Sequence, residues 1–111
     1  MTTSEIGLYG LAVMGQNFAL NMASHGFRVS VCNRSAAKVD TTVNRAVAEG
    51  NLPLLGYKDP SEFIASLEKP RRVVILVQAG KPVDSTIEIL SAFMEEGDII
   101  IDGGNGTILY I

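Results

Sequence analysis

Residues 6–15 read IGLYGLAVMG, a short apolar run that leads directly into a turn built around small residues. Gly10, Ala12 and Gly15 stand at the three small-residue positions of the dinucleotide-binding fingerprint, with alanine at the second position. The first residue permits a tight turn, the second lets backbone N–H groups approach a pyrophosphate, and the third lets a helix pack closely on a strand. The N–H groups and dipole of that helix favour phosphate. The alternative is a tight strand-to-helix turn without a ligand.

Apolar runs and helix-start signals alternate along the rest of the chain. A proline at the first helical position follows Asp59, and Pro82 opens a further helix. Strands are predicted at residues 5–9, 28–33, within 52–57, at 72–77 and at 99–101. Since crossovers between parallel strands are right-handed, this order predicts an α/β Rossmann-type fold, a doubly wound parallel sheet of about five strands in one domain.

Fourfold spacing of apolar residues predicts which helix faces are buried. Met14, Phe18 and Met22 form such a series in the first helix, supported by Ala19 and Ala23, and Met14 is interpreted as a core residue, with contact to a ligand as the alternative. Val39, Val43 and Val47 form the series of the second helix, which Ser35 is placed to cap.

Composition excludes several classes of protein. The 111 residues are 47% apolar and 19% charged, with a net charge of −3 and no basic run, which argues against nucleic-acid binding. No stretch is long enough to span a membrane. One cysteine, Cys32, and one histidine, His25, argue against a metal site and favour a reducing, cytoplasmic location, with an organelle as the alternative. We expect His25 to be a surface or capping residue and Cys32 a buried apolar one.

The end of the second strand indicates which dinucleotide fits. Domains of this kind that bind NAD carry an acidic residue there, whereas this chain has Asn33, Arg34 and Ser35. A guanidinium binds a 2′-phosphate through two hydrogen bonds, and Asn33 and Ser35 can donate to the same group. The sequence therefore predicts NADP as the cofactor. The alternative is that Arg34 is a solvated loop residue and Ser35 only a helix cap.

These motifs together resemble decarboxylating 6-phosphogluconate dehydrogenase. The resemblance covers about residues 5–105, which is nearly the whole chain. The matching runs are IGLYGLAVMGQN (6–17), VCNRS (31–35), KVD (38–40), EGNLP (49–53), KPR (69–71), VQAGKPVD (77–84) and DIIIDGGN (98–105).

The resemblance implies oxidation and decarboxylation of 6-phosphogluconate to ribulose 5-phosphate, CO2 and NADPH, in the pentose phosphate pathway. It further implies that full-length members form homodimers, and that Asn105 contacts both the nicotinamide side of the cofactor and the substrate. The cofactor-binding residues that it implies here are Gly10, Leu11, Ala12, Val13, Met14, Gly15, Asn33, Arg34, Ser35, Val77, Gln78, Ala79 and Asn105.

The chain departs from the family pattern at two places. Gln78 stands where the family usually has lysine, and Lys81 is the nearest basic residue. After Asn105 the family continues into an arginine-bearing helix, whereas this chain reads GTILYI and ends. The family's catalytic lysine and glutamate lie further along, so no catalytic residue is predicted, and we expect the chain alone to bind cofactor without turnover.

Two other functions remain open at this point. One is an NADP-dependent β-hydroxyacid dehydrogenase domain, since such enzymes share the glycine turn and the Asn-Arg-Ser sequence. The other is a non-catalytic NADP-binding module, which the apolar end of the chain suggests. On each interpretation residues 1–105 form the nucleotide-binding domain and residues 106–111 a divergent tail, for which the alternatives are that it packs back, that it aggregates, or that it marks an altered reading frame.

Overall fold

A six-stranded sheet with helices on both faces makes up the computed structural model of this chain, which describes residues 3–111. The strand order is β3-β2-β1-β4-β5-β6, and the first five strands run parallel. The elements in chain order are β1 (Ile6–Tyr9), α1 (Val13–Ser24), β2 (Val29–Cys32), α2 (Ala36–Ala48), β3 (Leu54–Tyr57), α3 (Pro60–Ala65), β4 (Arg72–Ile75), α4 (Lys81–Ser91), β5 (Ile99–Asp102) and β6 (Ile108–Tyr110). The predicted doubly wound sheet is confirmed.

The strand order creates a crevice between β1 and β4. The chain runs outward from β1 to β2 and β3, and then crosses back so that β4 pairs with the other side of β1. The connections that leave the carboxyl ends of β1 and β4 therefore diverge to opposite faces of the sheet. Open parallel sheets bind their ligands at such a switch point.

The tail adds a strand that the sequence does not predict. Ile108–Tyr110 pairs antiparallel with β5, with Ile101 opposite Ile108 and Ile99 opposite Tyr110. The Asp102 N–H donates to the Thr107 carbonyl where the chain reverses. The expected five strands are thus six, because the tail packs back on the edge of the sheet and hydrogen-bonds there. All three residues of β6 remain exposed.

Two apolar clusters sit on opposite faces of the sheet, as the alternation of side chains along each strand requires. Leu8 belongs to the cluster under α1 and α2, whereas its neighbour Tyr9 belongs to the cluster under α3 and α4. Val74 and Ile75 of β4 divide in the same way. Both faces of the central strands are therefore covered, which accounts for their nearly continuous apolar sequence.

The buried face of α1 differs in part from the predicted one. Ala19 and Ala23 are buried as predicted, but with Gly15 they form a series at fourfold spacing one residue along from Met14 and Phe18, and Leu20 is buried beside them. Met14 is 71% exposed and Phe18 is 43% exposed, so the core assignment of Met14 is wrong. The helix turns its small residues to the sheet because close approach to the strands leaves no room for long side chains.

Helix starts are predicted with mixed success. The Asp59 carboxylate accepts the Ser61 N–H, and Pro60 is the first residue of α3, as the sequence predicts. Ser35 occupies the capping position of α2, but its side chain makes no capping hydrogen bond. Val47, predicted to be buried, is 57% exposed because α2 packs through Val39, Thr42 and Ala46.

An ion pair with a buried carboxylate lies at the amino ends of β4 and β5. The Asp98 side chain is 1% exposed, and its Oδ2 lies 3.0 Å from Arg71 Nη1. Its carboxylate also accepts the backbone N–H groups of Arg71 and Glu95. Burial alone raises the pKa of Asp98, but these hydrogen bonds and the Arg71 charge outweigh it and lower that pKa overall.

Candidate dinucleotide site

The turn between β1 and α1 admits only glycine at its first and last positions. Gly10 has a φ of 107°, and a β-carbon there would overlap the Leu76 carbonyl group of the neighbouring strand connection. A β-carbon on Gly15 would overlap the carbonyl oxygen of Gly10. The predicted roles of both glycines are confirmed: the turn is tight, and helix and strand meet at backbone contact.

Side chains from outside the turn hold the Leu11 peptide groups on both sides. The Leu11 N–H donates to Asn33 Oδ1 at 2.8 Å, and Gln16 Nε2 donates to the Leu11 carbonyl at 3.0 Å. Asn33 Nδ2 in turn donates to the Ser35 carbonyl. Asn33, predicted to contact phosphate or ribose, therefore also ties the end of β2 to the glycine turn.

The amino end of α1 faces solvent with its N–H groups unused by the helix. The first hydrogen bond within α1 runs from the Gln16 N–H to the Ala12 carbonyl. The N–H groups of Val13 and Met14 precede it and have no helical partner, as at any helix start. Ala12, Val13 and Met14 are all exposed. This end of the helix offers donors and a positive dipole to a phosphate group.

A cleft of about 720 Å3 lies between the end of β2 and the start of α4. It contains the cations Arg34 and Lys81, together with polar side chains, and none of its residues carries a carboxylate. Its lining residues are Tyr9, Asn33, Arg34, Val77, Gln78, Lys81, Pro82, Ser85, Thr86 and Ile89. Such a cleft suits an anionic ligand with an apolar ring.

A second cleft of about 390 Å3 lies on the other side of the connection between β4 and α4. Val77 lines both clefts, so this connection forms the wall between them. The second cleft is lined by Val77, Ala79, Gly80, Val83, Asp84, Asp102, Gly104 and Asn105. Asn105 Oδ1 accepts the Thr107 N–H, which fixes its side chain at the mouth of the loop after β5.

Most of the predicted cofactor residues therefore lie around one edge of the sheet. Asn33, Arg34 and Gln78 line the first cleft, and Ala79 and Asn105 line the second. Ser35 lies beside Arg34 at the start of α2 but lines neither cleft.

The sequence analysis missed three residues of this region. Tyr9 lines the first cleft although it lies within a strand, Gln16 donates to the Leu11 carbonyl of the turn, and Arg45 donates to Gln16. Burial, followed by the nearby Cys32 thiol, raises the pKa of Tyr9, while Arg34 acts in the opposite direction. The alternation of side chains along β1 predicts that Tyr9 lies on the α3 and α4 side of the sheet. No pattern in the sequence predicts that Tyr9 also lines a cleft at the end of the strand.

The remaining reactive side chains have structural surroundings. Cys32 is fully buried in β2, and burial raises the pKa of its thiol to about 11. His25 is exposed at the carboxyl end of α1, where Nδ1 lies 2.8 Å from the Asn21 carbonyl oxygen. Asp102 accepts the Gly104 N–H. The expected surface position of His25 and buried position of Cys32 are confirmed.

Metal-binding and membrane-spanning features were sought across residues 3–111. No group of three or more His, Cys, Asp or Glu side chains in that range is arranged to hold a metal ion. Within the same range, the helices are too short or too polar to cross a bilayer.

Comparison with known proteins shows a close similarity to one enzyme family. Residues 5–109 match the family model described as the NAD-binding domain of 6-phosphogluconate dehydrogenase. A chloroplastic decarboxylating 6-phosphogluconate dehydrogenase from Spinacia oleracea is 62% identical over 105 residues, which are 95% of this chain and 20% of that protein. The decarboxylating enzyme of Chlamydia muridarum is 49% identical over 109 residues, which are 98% of this chain and 22% of that protein.

A solved structure shows the same similarity in three dimensions. The 6-phosphogluconate dehydrogenase of Plasmodium falciparum, studied in its apo form and with NADP+ and with 6-phosphogluconate, superposes with a TM-score of 0.82 at 49% identity. The match covers 89% of this chain and 21% of that enzyme. The chain thus spans about a fifth of the length of these relatives. Hydroxybutyryl-CoA dehydrogenases at 17–18% identity share the fold alone.

Proposed function

Because this chain belongs to the family of NAD-binding domains of 6-phosphogluconate dehydrogenase, we propose that it binds NADP as the cofactor domain of that enzyme. The single observation that carries the choice of NADP is the first cleft, where Arg34 and Lys81 face a space without carboxylates. A 2′-phosphate is attracted by both cations, whereas the acidic residue that usually selects NAD would repel it. The identity to decarboxylating enzymes favours this family over the β-hydroxyacid dehydrogenases.

Each part of the site is proposed to hold a different part of the cofactor. The free N–H groups at the start of α1, which the turn from Gly10 to Gly15 presents, bind the pyrophosphate; the buried Leu11 shapes this turn, since its N–H and carbonyl are both already hydrogen-bonded. Arg34, with Asn33 and Ser35 beside it, binds the adenosine 2′-phosphate in the first cleft. The connection containing Val77, Gln78 and Ala79 lies along the cofactor between the two clefts. Asn105 borders the nicotinamide side and the sugar acid in the second cleft.

The whole reaction is proposed for the complete enzyme rather than for these residues alone. A bound NADP+ would supply the hydride acceptor for the oxidation of 6-phosphogluconate, whose decarboxylation would give ribulose 5-phosphate and CO2. In residues 3–111 the second cleft offers Asp84 and Asp102 without a basic partner among its lining residues. We therefore propose that the chain binds cofactor but has no turnover by itself, since acid–base catalysis needs a positioned proton acceptor and donor.

Two further properties are proposed on the family relationship. Full-length members act as homodimers, and this chain provides the cofactor domain of each protomer. The chain is proposed to be located in the cytoplasm, a reducing compartment in which a free, buried cysteine such as Cys32 stays reduced. A plastid is the alternative location, because a relative is chloroplastic.

A titration of the 111-residue chain with NADPH and with NADH tests the proposal directly. Nicotinamide fluorescence is followed at constant ionic strength, because phosphate contacts weaken as salt rises. We expect NADPH to bind at least about tenfold more tightly, the size expected for one charge-assisted hydrogen bond. Equal affinities for the two cofactors contradict the assignment. The same samples with NADP+ and 6-phosphogluconate are expected to form no ribulose 5-phosphate.

A further inference from the structure

We propose that Arg45 of α2 is a positioning residue for the phosphate-binding turn and acts on it through the Gln16 side chain. The proposal rests on the proposed function, because it assigns Arg45 to the affinity of the pyrophosphate subsite. Arg45 is separated from Gln16 by 29 positions in the sequence, and no motif of the chain points to it.

A continuous series of hydrogen bonds joins Arg45 to the turn. Arg45 Nη1 donates to Gln16 Oε1 at 3.0 Å, and Gln16 Nε2 donates to the Leu11 carbonyl at 3.0 Å. Arg45 Nη2 donates to Asn17 Oδ1 at 2.9 Å, so the guanidinium grips two consecutive side chains of α1. The planar, forked shape of the guanidinium suits this two-pronged contact.

The contacts determine the orientation of the Gln16 amide. With Oε1 toward Arg45, the amide presents its NH2 group to the Leu11 carbonyl. The flipped amide would place NH2 against the guanidinium and oxygen against a carbonyl, so both hydrogen bonds would be lost. Arg45 thereby keeps the Gln16 donor aimed at the turn.

Backbone contacts hold the start of the turn, where the Gly10 N–H donates to the Cys32 carbonyl, and side chains hold the peptide groups that follow it. Gly10 precedes Leu11 and adopts a φ of 107°, a region that glycine enters and leaves freely. Asn33 holds the Leu11 N–H, and Gln16 holds the Leu11 carbonyl, so the two peptide planes flanking Leu11 are each anchored. The N–H groups of the exposed residues Ala12, Val13 and Met14 follow directly, and their direction depends on these planes.

Two simpler roles for Arg45 lead to different results. Arg45 Nε also lies 3.9 Å from Glu49 Oε2, so the residue contributes to an exposed ion pair within α2. If Arg45 were purely structural, its substitution would change the stability of the fold and affect the affinities of all ligands alike. If Arg45 acted only by its charge, lysine in its place would preserve the affinity for NADPH. A positioning residue lowers the affinity of ligands that reach the turn and spares those that do not.

The experiment compares two ligands across a small set of variants of the 111-residue chain. NADPH contains the pyrophosphate, and adenosine 2′-monophosphate carries only the group that Arg34 is proposed to bind. R45M, R45K, Q16M and the double variant R45M/Q16M are titrated with each ligand by NMR. R28M is the matched control, since Arg28 is a similarly exposed arginine that contacts two side chains, those of Glu5 and Glu68, but lies where β2 begins, at the edge opposite the turn.

We expect R45M and R45K to weaken NADPH binding about fivefold, the size of one hydrogen bond, while adenosine 2′-monophosphate changes less than about twofold. The double variant should bind NADPH no more weakly than Q16M alone, because both changes break one series of contacts. R28M should leave both affinities unchanged.

The proposal is overturned if R45K binds NADPH like the wild type, if both ligands weaken equally, or if the losses of R45M and Q16M add. If the wild-type chain binds NADPH and R45M binds it equally well, the positioning role fails while the proposed function stands. If the wild-type chain binds no NADPH, the proposed function is wrong, and the positioning role, which rests on it, is wrong as well.

Discussion

Gly15 and the carbonyl oxygen of Gly10 lie in direct contact, so that a β-carbon on Gly15 would overlap that oxygen. Two effects of G15A then oppose each other. Alanine is favoured over glycine inside a helix by about 1 kcal/mol, and forced overpacking costs about 2 kcal/mol or more where backbone atoms are the obstacle. We expect the second effect to win, with a lower free energy of unfolding in urea and loss of NADPH binding.

Gly26 provides the control for this substitution. It lies past the end of α1 with a φ of 92°, and a β-carbon there would meet no atom within 4 Å. G26A should therefore cost only the strain of its backbone, about 1 kcal/mol, and leave NADPH binding unchanged. A rise in the unfolding free energy of G15A would show that the turn relaxes easily and would contradict the close contact.

Replacing Arg34 by aspartate is expected to reverse the charge at the proposed 2′-phosphate subsite. R34D should weaken NADPH binding at least about tenfold more than NADH binding, because only NADPH carries the phosphate that a carboxylate repels. Fluorescence titrations with both cofactors measure the ratio. The control is K58M, which removes a surface cation that pairs with Asp40 and lines neither nucleotide cleft. Equal losses for NADPH and NADH would remove Arg34 from the assignment.

The ion pair of Asp98 and Arg71 makes the free energy of unfolding depend on pH. The pKa of Asp98 is lower in the folded chain than its ordinary value, so the folded state favours the ionised carboxylate. Its stabilising contribution is therefore complete above the unfolded pKa of about 4 and is lost as the pH falls through the folded pKa. We expect urea unfolding of the wild type to show a loss of stability below about pH 4.

D98N isolates that contribution. The substitution removes the buried charged partner of Arg71 and leaves it only the more exposed Glu95 carboxylate, 3.6 Å away, and we expect a loss of about 3 kcal/mol at pH 7. The difference between wild type and D98N should shrink as the pH falls below about 4, because the unfolded wild-type carboxylate binds a proton there before the folded one does. A constant difference from pH 7 to pH 2 would contradict this origin of the effect.

Cys32 is expected to resist thiol reagents in the folded chain. Its side chain is fully buried and the pKa of its thiol is raised to about 11, so roughly one thiol in a thousand is ionised at pH 8. Iodoacetamide at pH 8 should label the chain only slowly in buffer and completely in denaturing urea, as measured by mass spectrometry. Rapid stoichiometric labelling without denaturant would show that the end of β2 opens readily.

The sequence predicts the sheet well because its signals are local and strong. The apolar run before Gly10, the Asp59-Pro60 helix start and the run from Val73 to Ile75 each specify an element within a few residues. In α1 the burial of Ala19 and Ala23 is predicted, but that of Met14 and Phe18 is mispredicted, because the close approach of the helix to the sheet at Gly15 favours small residues over large apolar ones. Size restriction at a contact depends on the partner surface, which a local pattern does not contain.

Long-range contacts account for the other differences. The β6 strand forms because Ile108–Tyr110 pairs with the unpaired edge of β5. The sequence of three apolar residues does not predict which strand they pair with. The series from Arg45 to Leu11 joins residues from two helices and a turn. The cofactor-binding residues, by contrast, stand at strand ends, where the order of elements alone brings them to one edge.

The antiparallel course of β6 has a practical consequence for handling the chain. The strand carries the backbone away from the nucleotide clefts, and the Ile111 N–H donates to the Asp98 carbonyl, ahead of β5. Ser4, which precedes β1, also lies at the edge where the parallel strands begin. Both ends of the described chain thus leave from the side of the sheet opposite the clefts. A surface anchor or fluorescent label attached at either end should leave the cofactor side facing solution.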